Sequence, residues 1–344
     1  MSLPPLSILY LGAAGGTCLD RANALRRLGH QVTHIDARGL LPASVWIDRI
    51  TWRLGGNLLG GLFLRALRRR IAGQRFDLCY VDNGEWVTPG VLAALRRQAG
   101  RVVNYNIDDP TGLRDGGRFR AYRQSLPYYD LSVVMRPENV VEAKAYGAGA
   151  VQRMWRSADE VTHAPRALSA QDHAKWDAEV LFLGTWMPER GPFLLALIEL
   201  GVPLSIRGPN WHKAPEWSAL QPYWRGGAVQ GDDYAKAIQC AKVNIGLLSK
   251  GNRDLHTTRS LEIPALGALL CAERTSEHVG MYEERREALF WADAVECAEM
   301  CAFALADEER RLAIALAGQQ RVKRNGHMNE AVLAKILQAA LQQQ

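Results

Sequence analysis

Apolar positions along the chain fall into short runs that end in glycine or acid, with helical patterns between them. Residues 7–12 (SILYLG) are the first such run, suited to a buried parallel strand. After the turn AAGGT, Leu19, Ala22, Leu25 and Leu28 recur at helical spacing, and Gly29 offers a C-cap. QVTHID follows as a second strand. This strand–loop–helix–strand unit opens a doubly wound α/β domain. Further strands are predicted at 76–82, 101–108 and 130–135, and helices at 91–98 and 139–148. Residues 45–72 break the alternation. They read as one helical segment rich in Leu and Trp, ending in Arg65, Arg68, Arg69 and Arg70.

Residues 165–178 lack periodicity and read as a linker. A second α/β series then starts, with strands at 179–186, 202–209, 242–248 and 268–273. Helices are predicted at 193–201 and 232–241, after Thr257, and through the tail from Asp307. Two such series predict two Rossmann-like domains facing a central cleft, 1–166 and 178–344. The last helix is free to pack back on the first domain.

Composition is that of an ordinary globular protein, with 48% hydrophobic and 23% charged residues. No run of apolar residues is long enough to span a bilayer, and the N-terminus does not read as a signal peptide. The six cysteines show no CxxC or Cys/His spacing, so no metal site is expected and a reducing cytoplasm fits. A net charge of +6 fits either a mildly basic soluble enzyme or one drawn to anionic partners. Nucleic acid is not expected, because no nucleic-acid motif is present. The basic segment 45–72 is either a helix packed on the first domain with an arginine-rich exposed end or a surface for a lipid-linked acceptor or the inner face of a membrane.

Three regions carry candidate chemistry. The loop GAAGGT, with Gly15 and Gly16, is either an anion-binding turn or simply a tight one. Residues 243–273 hold Lys250, Arg253, Asp254, His256 and Arg259 between two apolar strands. Thr257 or Thr258 is placed to start a helix, and Glu262 lies in its first turns. Cations beside a helix start suit a diphosphate, and a carboxylate one turn in suits a ribose diol. Acidic residues at strand ends, Asp82 with Glu85 and Asp108 with Asp109, could orient or deprotonate a hydroxyl.

Asp254 and Glu262 stand eight residues apart, which resembles the paired acidic positions of GT-B glycosyltransferases. RSLEIPALG (259–267) resembles the R-x-x-E-x-x-A-x-G pattern of the CgeB-like (spore-maturation-protein-like) glycosyltransferases. NYNIDDP (104–110), RPENVVEAKAYGA (136–148) and MWRSADEVTH (154–163) resemble the same family. The resemblance implies a GT-B fold, with Glu262 on the donor ribose and Asp254 near the sugar hydroxyls. It puts Arg190, Lys250 and Arg259 on the diphosphate. Residues 227–234 would hold the base, and Gly208 and Trp211 would flank the nucleotide. His163 and Asp159 would lie near the hinge.

The function expected is transfer of a sugar from a nucleotide diphosphate sugar, UDP by preference, to a glycan, lipid-linked or protein acceptor. No cofactor or metal is expected. Stereochemistry stays open, with the acidic spacing leaning toward retention. A sugar-nucleotide epimerase on the same fold and a non-catalytic two-domain binding protein are the alternatives.

Overall fold

The computed structural model describes residues 3–342, which form two compact units. The first takes in the chain up to Arg156, Gly251–Arg253, and the stretch from Asn329 onward. The second comprises Ser157–Lys250 and Asp254–Met328.

The first unit is built on β1 (Ser7–Gly12), β2 (Gln31–Asp36), β3 (Phe76–Asp82), β4 (Ala99–Asn106), β5 (Leu131–Val134) and β6 (Val151–Arg153). All pairings are parallel, in the order β2-β1-β3-β4-β5-β6. Its helices are α1 (Gly16–Arg27), α2 (Val45–Leu54), α3 (Gly60–Ile71), α4 (Pro89–Arg96), α5 (Arg120–Ser125) and α6 (Pro137–Ala145). Side chains alternate across the sheet, as strand geometry requires. Ile8 and Tyr10 pack with Ala22 and Leu25 of α1, while Leu9 and Leu11 pack with Phe63 of α3 and Leu92 of α4.

The second unit contains α7 (Ala170–Trp176), β7 (Ala178–Leu183), α8 (Arg190–Glu199), β8 (Leu204–Arg207), α9 (Trp217–Leu220) and α10 (Gly231–Cys240). It continues through β9 (Ala241–Gly246), α11 (Arg259–Ala265), β10 (Leu270–Glu273), α12 (Ser276–Met281), β11 (Leu289–Trp291), α13 (Ala294–Ala306) and α14 (Glu308–Arg324). Its sheet is also parallel, ordered β11-β10-β9-β7-β8. The final helix, α15 (Asn329–Gln342), belongs to the first unit. Leu333, Ile336 and Leu337 complete the core around Ile8, and Glu330 pairs with Arg27 at 2.6 Å.

In both sheets the first strand is flanked by the second on one side and the third on the other. Chain order therefore reverses at β1/β3 and at β7/β9. Open α/β sheets present a crevice at such a point, outside the carboxyl ends of the strands.

Three local expectations change. Residues 45–72 form two helices, because a Cβ on Gly56 would lie 2.2 Å from the Glu85 carbonyl and Gly55 has φ +76°. The stretch read as a linker contains α7, started by reciprocal hydrogen bonds between Ser169 and Asp172. Thr258 precedes α11 without capping it; Ser260 Oγ accepts from the Thr257 amide at 3.0 Å instead.

Candidate functional site

Each reversal point carries a cavity. In the first unit, about 200 Å³ is lined by Ala13, Cys18, Asp82, Asn83, Glu85 and Trp86 among others. Asp82 ends β3 and is buried; its Oδ2 accepts from Arg21 Nε at 2.8 Å and from the Tyr10 hydroxyl. Arg21 lies 4.7 Å over the Tyr105 ring. Burial, with the Asp82 charge added, pushes the Tyr10 hydroxyl well above its ordinary range, so it stays a donor. Among the described residues, Asp82 Oδ1 and Asn83 Oδ1 are buried with no hydrogen-bond partner. Such orphaned acceptors suit a ligand that brings donors.

Glu85 is ion-paired with Arg118, yet burial raises its carboxyl above the usual value. Arg118 also meets Asp108 at 3.2 Å and Asp115 at 3.0 Å, and Asn83 Nδ2 donates to Asp108 at 3.0 Å. Asp109 faces a different cluster. Arg253 grips it with Nε at 2.7 Å and Nη2 at 2.6 Å, and Asn139 donates at 2.6 Å. Burial alone would raise the Asp109 carboxyl; these donors outweigh it and hold it below the usual range. Arg253 also binds Glu142 at 2.7 Å, so its guanidinium is committed within the first unit. Gly15 and Gly16 start α1, Gly16 with φ +57°, but Ala13 and Cys18 line the cavity, not the glycines.

In the second unit, about 200 Å³ lies over the ends of β7 and β9, lined by Gly184, Thr185, Arg190, Thr257, Thr258 and Arg259 among others. Its lining contains two arginines and no carboxylate. Arg190, the first residue of α8, donates to the carbonyls of Thr185 at 2.8 Å, Leu247 at 3.3 Å and Leu248 at 3.4 Å. These bonds fix its head at the cavity wall.

Glu262 does not line this cavity. It lies buried behind Arg259, accepting from Arg259 Nη1 and from the Tyr234 hydroxyl, both at 2.5 Å, with His163 Nε2 at 3.6 Å. Burial would raise its carboxyl; Arg259 first, then His163 and the Tyr234 hydroxyl, outweigh that and keep it below the usual range. The Arg259 guanidinium sits 4.7 Å over the Tyr234 ring.

Gly208 acts from behind. A Cβ there would lie 2.0 Å from the Gly184 carbonyl, and φ is +138°, so only glycine lets the two strand ends meet. Trp211 is buried and donates to that same carbonyl at 3.0 Å. Lys250 pairs with Glu273 beside a neighbouring cavity of about 260 Å³ that Arg190 shares. His256 is buried against Glu277. Asp254 is buried and lines neither reversal-point cavity.

The structure thus gathers Arg190, Thr258 and Arg259 at one cavity with Glu262 and Gly208 behind, and places Asp82 at the other. Lys250, Arg253, Asp254, His256 and Asp109 stand outside both. Sequence reasoning missed Tyr234 and Arg21. A tyrosine inside the segment 227–234 and an arginine inside an apolar helix face were the available signals.

Cys271, Cys297 and Cys301 form a further cluster, with sulfurs within 4.8 Å of one another in the second unit's core. Their chemistry suits a thiophilic metal. Cys297 and Cys301 are one helical turn apart and Cys271 is on β10, a combination that linear spacing hides.

The glycosyl transferase-like family matches residues 190–338. No curated protein sequence matches the chain. Among solved structures, sucrose-phosphate synthase of Thermosynechococcus elongatus superposes with TM-score 0.70 at 14% identity, covering 98% of each chain. Anabaena HepE in complex with UDP-glucose gives 0.64 at 11%, covering 97% of this chain and 99% of HepE. An α,α-trehalose-phosphate synthase of Burkholderia xenovorans, in complex with glucose-6-phosphate, gives 0.65 at 11%, covering 97% and 100%. The shared fold is GT-B.

Proposed function

We propose that the chain is a GT-B glycosyltransferase that moves a sugar from a nucleoside diphosphate sugar to an acceptor hydroxyl, without a bound metal; the glycosyl transferase-like match over residues 190–338 and the shared GT-B fold support this. UDP is the first choice of nucleotide, in line with the UDP-glucose and UDP complexes of the HepE structures. Within the superfamily, the R-x-x-E-x-x-A-x-G pattern at 259–267 favours the CgeB-like family.

One observation carries the reading: a carboxylate-free cavity walled by two arginines at the second unit's reversal point. An anionic diphosphate fits such a lining, and Arg190 and Arg259 offset the charge that grows on it as the sugar departs. Glu262 serves the donor by fixing Arg259 and the Tyr234 hydroxyl. Both of these bonds fall on Oε2, so a direct bond to the ribose, as the resemblance implies, would fall to Oε1.

The acceptor is assigned to the first-unit cavity. Asp82, Asn83 and Glu85 line it, and Asp82 Oδ1 and Asn83 Oδ1 have no hydrogen-bond partner, which matches a hydroxyl-bearing ligand. The spacing of Asp254 and Glu262 favours retention, in which the leaving phosphate takes the acceptor's proton and no protein base is required. Glycan, lipid-linked and protein acceptors all offer such a hydroxyl.

The test is a thermal-shift panel of UDP, GDP, dTDP and CDP sugars, each with and without EDTA. At least one should raise the melting temperature, as any ligand selective for the folded state does, and EDTA should not reduce the shift. A panel with no shift contradicts the donor assignment, and a shift abolished by EDTA contradicts metal independence.

A further inference from the structure

The first unit exposes an apolar surface that its own core does not use. Val45, Trp46, Trp52, Leu54, Leu58 and Leu62 are all exposed, and all fall within α2, α3 and the short turn between them. Trp46 is 70% and Leu58 68% exposed. The same helices bury a separate set: Phe63, Leu67 and Ile71 of α3, one turn apart, pack into the core. The outward residues are therefore not core residues left uncovered by chance of register. Six large exposed apolar side chains concentrated in one segment, residues 45–62, are more than the scattered single ones of an ordinary surface and suit an interaction site.

The charges around it have one sign. Residues 45–72 hold Arg49, Arg53, Arg65, Arg68, Arg69 and Arg70 against a single acid, Asp48. All six arginines are exposed, and Asp48 is already paired with Arg38 at 2.9 Å. A second copy of the chain meeting this face in a symmetric dimer would set arginines against arginines. An anionic lipid surface instead supplies headgroup charge for the arginines and an acyl boundary for Trp46, Trp52 and the leucines.

α3 contributes one residue to the first-unit cavity, and α2 touches two of the cavity's lining residues. Phe63 lines it. Trp86 lines it and donates to Thr51 Oγ1 of α2 at 3.0 Å, and Arg118 lines it and lies 5.2 Å over the Trp52 ring. The geometry points to docking of α2 and α3 on an anionic bilayer, with the acceptor hydroxyl reaching the Asp82 cavity from a lipid carrier. The carrier half of this statement rests on the acceptor assignment above; the docking half does not. No helix among the described residues is long and apolar enough to cross a membrane, so contact at this face is peripheral.

The experiment is co-sedimentation of the full chain with vesicles of phosphatidylcholine alone or mixed with phosphatidylglycerol, without donor or acceptor. Binding is expected only to the mixed vesicles and should weaken as salt rises. Trp46→Ser/Leu62→Ser should weaken it about tenfold through lost apolar burial, and Arg68→Glu/Arg69→Glu by a similar factor through reversed charge. The UDP thermal shift of each variant should equal the parent's; where one pair fails that check, the other pair and the single change Leu58→Ser carry the result. No binding to mixed vesicles, or binding by folded variants equal to the parent's, overturns the proposal. So does a concentration-dependent dimer that the Trp46→Ser/Leu62→Ser change abolishes. Vesicle binding by a protein that shifts with no nucleotide sugar leaves docking standing and removes the donor assignment alone.

Discussion

The two reversal points occupy the same place in two sheets of the same strand order, and two arginines line each, but only the first cavity also has carboxylates in its lining. At β1/β3 the cavity has unsatisfied acceptor oxygens on Asp82 and Asn83, and a carboxylate–guanidinium pair, Asp82–Arg21, sealed behind it. At β7/β9 the lining has Arg190, Arg259 and three threonines and no carboxylate, and Glu262 is paired with Arg259. The fold fixes where a ligand can sit, and the last residues of the strands and the first of the helices fix what can sit there. On the proposed function, the first crevice takes the hydroxyl of the acceptor and the second the diphosphate of the donor.

The strongest way to strain this contrast is to remove the cation behind the first cavity. Arg21→Met leaves Asp82 charged and buried without its partner, and unfolding free energy in urea should fall by about 3–5 kcal/mol. The nucleotide-induced shift of the folded protein should persist, since the second unit is untouched. A loss under 1 kcal/mol would mean that Asp82 is not held as an ion pair, roughly the worth of an exposed pair.

Next in size is the second cavity. Arg190→Ala should weaken UDP binding by about 2 kcal/mol, the scale of a charge-assisted hydrogen bond, and leave uridine binding nearly unchanged. Calorimetric titration separates the two ligands. Equal losses for both would move Arg190 from the phosphates to the base or to general packing, and the contrast between the crevices would lose its cationic half.

The smallest effect is in pH. The folded Glu262 carboxyl lies below its ordinary 4.5, so Glu262 adds stability that is present above that value and lost as pH falls through the folded value. Glu262→Gln should therefore show a shallower acid loss of stability than the parent in urea melts below about pH 4.5. Identical acid limbs would mean that Arg259 and Tyr234 do not stabilise the charge.

Both crevices were legible in outline, because SILYLG and EVLFLG each end an apolar run with glycine at the start of an α/β series. Long-range pairing hid the rest. Lys250, Arg253, Asp254, His256 and Arg259 are close in sequence and read as one polar loop. Folding sends Arg253 to Asp109 and Glu142, His256 to Glu277 and Lys250 to Glu273, leaving Arg259 at the cavity. Nothing in local spacing distinguishes these fates. The break between α2 and α3 was hidden in the same way, since Gly56 is required by the Glu85 backbone, far along the chain. Arg190 was found by resemblance; its fixed pose comes from carbonyls of Leu247 and Leu248, which no motif around residue 190 announces.

The most direct measurement is a crystal structure of the protein soaked with UDP. The account predicts diphosphate density over the ends of β7 and β9, within hydrogen-bonding reach of Arg190 and of Thr257 or Thr258. Diphosphate density at the Asp82 cavity, or anywhere out of reach of Arg190, would contradict it.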